Sequence, residues 1–119
     1  MLRIFVILAC AMAASGCAPS KSLVQLRATP GETYFSQASV DTVTRCMRDL
    51  PTDMLEITTY PESGAAEFMI GTSSDMVYLA AASKDSSGSS IAIHTYGRTL
   101  WAMPEAEFRA SVKRCAPPR

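Results

Sequence analysis

An α+β domain is what this sequence predicts, and three observations carry the expectation. Between Met54 and Gly97, four strand-like runs are set apart by clusters of turn-forming residues. Loops this short favour antiparallel pairing, because parallel neighbours need a long crossover. Each side of these runs carries a stretch with helical periodicity, one from Val40 to about Leu50 and one after Pro104. The order helix, four strands, helix predicts a four-stranded antiparallel meander with the N-terminal and the C-terminal helix packed on one face.

The first helix opens at Ser39, whose hydroxyl can accept from an unpaired amide of the first turn, and Asp41 suits the positive end of the dipole. Val40, Val43, Met47 and Leu50 share one apolar face, Cys46 flanks it, and Arg45, Arg48 and Asp49 lie off it. Pro51 stops the helix. In Met54 to Tyr60, Leu55, Ile57 and Thr59 alternate with Glu56, Thr58 and Tyr60. Pro61-Glu62-Ser63-Gly64 then turns the chain into Ala66 to Gly71, where Phe68 and Ile70 alternate with Glu67 and Met69. Met76 to Ser83 is apolar on both sides, which places it centrally and leaves its register open. In Ser90 to Gly97, Ile91, Ile93 and Thr95 alternate with Ala92, His94 and Tyr96. The last helix opens at Pro104, where a missing amide is harmless, and ends near Lys113 and Arg114. Phe108, Ser111, Val112 and Cys115 form its inner face.

The N-terminal region says where the protein resides. Arg3 precedes an uncharged stretch from Ile4 to Ala14, about half the length needed to cross a bilayer as a helix, which reads as an export signal and not as an anchor. It ends in Ala14-Ser15-Gly16-Cys17, which resembles a bacterial lipobox. The resemblance covers about the first twenty residues. It implies a diacylglyceryl thioether on Cys17, cleavage before that residue and acylation of the new amino terminus. Ordinary cleavage after Gly16, which yields a soluble periplasmic protein, is the alternative. The resulting divisions are a lipoprotein signal peptide over 1–16, a lipidated tether over 17–33 and a single domain over 34–119. Ala18, and not an aspartate, follows the cysteine, and the resemblance then implies the periplasmic face of the outer membrane.

Within the tether, Pro19, Ser20, Lys21, Ser22, Pro30 and Gly31 set the composition. At about 3.3 Å per residue it spans up to roughly 50 Å and lets the domain stand clear of the membrane. Leu23-Val24-Gln25-Leu26 interrupts it, as a short edge strand or as a sticky part of the tether. Tyr34-Phe35 reads as a short extended lead-in. Once the signal is removed and Cys17 is lipidated, Cys46 and Cys115 remain. In an oxidising compartment the expectation is a disulfide between Cys46 and Cys115, and the alternative is two buried free thiols.

The charges exclude some partners. Acids and bases balance at 11 each over the 119 residues, so nothing draws the chain to nucleic acid, and only lipid on Cys17 ties it to a membrane. His94 is the single histidine, and no CxxC, GxSxG or GxGxxG motif is present. The expectation is no metal, no cofactor and no enzyme. If both helices cover Leu55, Ile57, Phe68, Ile70, Ile91 and Ile93, the other sheet face carries Tyr60, Met69, His94 and Tyr96, with Arg98 and Trp101 just beyond. Aromatic residues with an arginine are enriched at binding hot spots. These six are the candidate partner-binding residues, and the serine-rich loop from Asp85 to Ser90 is the next candidate if both faces prove covered. The plainer reading is an ordinary solvated face with Trp101 tucked into the core. The expected function is a lipid-anchored periplasmic protein-interaction module, either an envelope scaffold or an inhibitor of a periplasmic enzyme. The alternative is a small-ligand-binding envelope lipoprotein or a minor envelope enzyme.

Overall fold

The computed structural model describes residues 20–72 and 74–119. The expected signal peptide over 1–16, the lipobox-like Ala14-Ser15-Gly16-Cys17 and thus Cys17 itself lie outside them. The elements in chain order are α1 (Leu23–Ala28), β1 (Glu32–Ser36), α2 (Val40–Arg48), β2 (Leu55–Tyr60), β3 (Ala65–Thr72), β4 (Asp75–Asp85), β5 (Gly88–His94) and α3 (Glu105–Cys115). They form an α+β fold around one antiparallel sheet of order β1-β5-β4-β3-β2.

The expected meander is β2 to β5, and its register follows the alternation: Leu55 opposes Ile70, Ile57 opposes Phe68, Phe68 opposes Ala80 and Ala80 opposes Ile93. These residues face α2 and α3, where Val43, Met47, Phe108 and Val112 complete the main core. The Ser39 hydroxyl accepts from the Thr42 amide and caps α2 as expected. Cys46 and Cys115 form a disulfide with their Cα atoms 5.4 Å apart, tying α2 to α3.

Four features differ from the sequence-based expectation. The sheet has a fifth strand, β1, which pairs antiparallel with β5 through Tyr34 opposite Ile91. Five residues with only Tyr34 and Ser36 turned inward are too few to display a period, so its pairing comes from tertiary context. The Tyr34 hydroxyl donates to the Ala116 carbonyl at 2.8 Å, and the Arg119 amide donates to the Phe35 carbonyl, so the end of the chain guards this edge. Gly88 is required here: its φ is +148°, and a Cβ would stand 2.1 Å from the Ser36 carbonyl.

The second difference is α1. The stretch expected as a tether over 17–33 joins the folded unit from Lys21 onward, and Leu23 to Leu26 is helical, neither edge strand nor tether. Ser22 and Gln25 form a reciprocal capping box. A six-residue helix does not hold in water by itself, so its stability comes from docking. Leu26 is 0% exposed, packed with Met69, Met76 and Leu79 on the sheet face opposite α2 and α3. That is the third difference: two helices share one face, and a third covers the middle of the other. It also explains why β4 is apolar on both sides, with Tyr78, Ala80 and Ala82 under α2 and α3 and Leu79 under α1. The fourth is that β5 spans Gly88–His94 and does not run on to Gly97, and Arg98 beyond it turns back to pair with Asp75.

Candidate functional site

Four of the six candidate residues, Tyr60, Met69, His94 and Tyr96, gather around the segment that carries α1. The Met76 amide donates to the Lys21 carbonyl at 2.7 Å and fixes the start of this segment at the head of β4. At its other end, the Arg27 Nε donates to Glu67 at 2.7 Å and a second Arg27 nitrogen completes a two-point contact with the same carboxylate. The Tyr60 hydroxyl donates to Glu67 as well, at 2.7 Å. His94 Nδ1 lies 2.7 Å from the Thr29 carbonyl, and because a carbonyl only accepts, Nδ1 carries the proton. Lys21 stands over the Tyr96 ring, 5.3 Å from its centroid. Met69, at 4% exposure, is sealed under Leu26. Tyr60, Met69, His94 and Tyr96 thus hold the chain's own N-terminal segment, and the face expected to be open is covered at its centre.

Arg27 and the Tyr60 hydroxyl hold the Glu67 carboxylate below its ordinary value, against the opposing effect of burial. A carboxylate with a lowered folded-state pKa adds stability that is present above its unfolded pKa and lost as pH falls through the folded one. Glu67→Gln should therefore lower the melting temperature at neutral pH, by about 1 kcal/mol in stability given that Arg27 remains partly in water. The gap to the unaltered protein should begin to narrow as pH falls below the ordinary carboxylate range and close once pH passes below the lowered folded-state pKa, where Glu67 is protonated in both the folded and unfolded chains. Glu32, held low mainly by Lys113 and also by Arg109, acts alike in both, so the difference isolates Glu67. Parallel melting curves from neutral to acid pH would show that Glu67 carries no such linkage.

Arg98 and Trp101 lie where β4 begins. Arg98 pairs with Asp75, next to Met76 and the bound Lys21 carbonyl. The Tyr78 hydroxyl accepts from the Leu100 amide at 2.9 Å and donates to the Met103 carbonyl at 2.8 Å, so the loop between them is pinned on both sides. Trp101 sits in that loop at 97% exposure, not in the core.

At the other end of β4, an open groove of about 790 Å³ lies between α2 and the turns that follow β2 and β4. Val40, Arg45 and Arg48 line it from α2, Tyr60 from β2 and Lys84 from β4. The turn from Asp85 to Gly88, part of the serine-rich loop, closes one side. Among the described residues Arg45, Arg48 and Lys84 have no ion-pair partner, whereas Asp85 is engaged by Arg119. Asp41 also lines the groove. The sequence places Arg45 and Arg48 merely off the apolar face of the first helix, and only the fold brings Lys84 beside them, since no local pattern joins the three.

Among the described residues no three His, Cys, Asp or Glu converge on a cation position, and no helix is long and apolar enough to cross a membrane. No family model, curated protein or solved structure matches the chain.

Proposed function

We propose that this is a lipid-anchored envelope protein whose groove at the far end of β4 docks an acidic segment of a protein partner, as a scaffold or as an inhibitor of a periplasmic enzyme. The observation that carries the reading is the grouping of Arg45, Arg48 and Lys84, unmatched by ion pairs, beside half-exposed Tyr60 and Val40. Arginine and tyrosine are the residue types that anchor interfaces, and unpaired cations steer an acidic partner. The disulfide between α2 and α3 suits an oxidising compartment. Lipid on Cys17 supplies the attachment, and Ala18 favours the outer membrane.

The test is a photo-crosslinker placed at Asp41, an exposed residue that also lines the groove, in cells carrying the full chain, with the product identified by mass spectrometry. One defined crosslinked protein is expected, and the triple change Arg45→Glu, Arg48→Glu, Lys84→Glu should abolish it. Exposed charges of this kind change stability by about 0.5 kcal/mol or less each, so the fold should persist. A crosslink of equal yield in the triple variant would overturn the assignment. The groove volume also falls within the roughly 300–1,000 Å³ of small-molecule sites, which favours a small anionic ligand as the second reading.

A further inference from the structure

We infer that the end of the sheet bearing Lys21 rests against the bilayer surface with Trp101 seated among the lipid headgroups, so that the anchor fixes the domain's orientation and presents the groove away from the membrane. The inference rests on lipidation of Cys17 and goes beyond it. Only Ala18, Pro19 and Ser20 separate Cys17 from Lys21, and Lys21 is already fastened to β4 by the Met76 amide. At most about 3.8 Å per residue, the acylated residue stands no more than roughly 15 Å from the Lys21 Cα. The fastening is backed by Leu26 in its apolar pocket and by Arg27 on Glu67, so the leash does not lengthen without undocking α1. A tether of about 50 Å, the length expected if 17–33 were extended, is replaced by one comparable to the headgroup layer plus a side chain.

What meets the lipid is then decided by what this end of the sheet exposes. Trp101 follows Leu100, whose amide is bound to the hydroxyl of Tyr78, three residues along β4 from Asp75 and on the face that carries α2 and α3, so Trp101 and Lys21 flank the same end of the sheet from its two sides. A tryptophan at 97% exposure, on a loop held at both flanks, loses little entropy when it enters an interface. Its ring and indole N–H suit the boundary between acyl chains and water. Lys21 adds a cation at the same end, while Arg98 and Asp75 neutralise one another. The groove lies at the opposite end of eleven-residue β4, roughly 35 Å away, facing the aqueous space.

The chain holds one tryptophan, so intrinsic emission reports Trp101 alone. The full lipoprotein, its acyl content confirmed by mass, is placed in vesicles of phosphatidylethanolamine with a minority of phosphatidylglycerol, with or without lipids brominated near the headgroup. Trp101 emission should shift to the blue and be roughly halved by the brominated lipid, as befits an interfacial tryptophan. Inserting a Gly-Ser spacer between Pro19 and Ser20 should leave acylation intact and remove most of that quenching. An acylated, vesicle-bound protein whose emission matches that of Cys17→Ser in solution would overturn the inference while leaving the anchor standing, and would turn Trp101 into a protein contact. Unchanged quenching with the spacer present would overturn the role of the short leash. A Cys17 without lipid would remove the anchor and the inference together.

Discussion

Removal of the Cys46–Cys115 disulfide should lower the melting temperature by roughly 15 to 30 °C, a larger loss than any single surface change in this domain. The bridged residues are 69 apart in sequence, and the loop they close holds β2 to β5 and all of α3. Chain-entropy arguments assign such a closure about 4 kcal/mol, against the 5 to 15 that a domain of this size typically has in total. Little else joins the two helices to each other than apolar packing around Met47, Phe108 and Val112. The double change Cys46→Ala, Cys115→Ala and the reduced protein should melt together, both far below the oxidised form. Function should follow stability, because α2 carries Arg45 and Arg48 and forms one wall of the groove. Thermal melts with and without reductant, beside thiol counting in the unreduced denatured protein, check the prediction. Two alkylatable thiols in that protein, or melts within a few degrees of one another, would contradict it.

The parts of the fold legible in the sequence are those whose burial repeats over enough residues to leave a period. Ile57, Phe68, Ile70, Ile91 and Ile93 reveal their strands because large apolar residues recur at every second position within runs of six or more residues bounded by turn-forming residues. Ser39, Pro51 and Pro104 mark helix ends by chemistry that does not depend on tertiary contacts. In contrast, β1 and α1 each bury one or two side chains, and their stability lies in what they touch. Ser22 and Gln25 were the readable trace of α1, outweighed by Pro19, Pro30 and Gly31 around them.

The same limit applies to the candidate site. The side of the sheet holding Tyr60, Met69, His94 and Tyr96 followed from alternation. Its occupant did not, because an aromatic and charged face has one composition whether it binds a partner or a strap of its own chain. Arg27 and Glu67 are 40 residues apart, and no local pattern joins them. Nor does any local pattern join Lys84 to Arg45 and Arg48.

Cys17→Ser should move the protein from the membrane fraction to the soluble periplasm and abolish palmitate incorporation. The effect should be near complete. Each buried methylene contributes about 0.8 kcal/mol, so three acyl chains hold far more firmly than Trp101 or Lys21 could alone. The balanced charge of the chain adds no general attraction to anionic lipid. Because the domain beyond Lys21 folds without reference to Cys17, the variant should keep its disulfide and its melting temperature. The most direct measurement is the mass of the N-terminal peptide of the protein extracted from cell membranes. The account predicts a chain beginning at Cys17, carrying a diacylglyceryl group on sulfur and an acyl group on nitrogen. A free Cys17 thiol, or a chain that keeps its first sixteen residues, would contradict it.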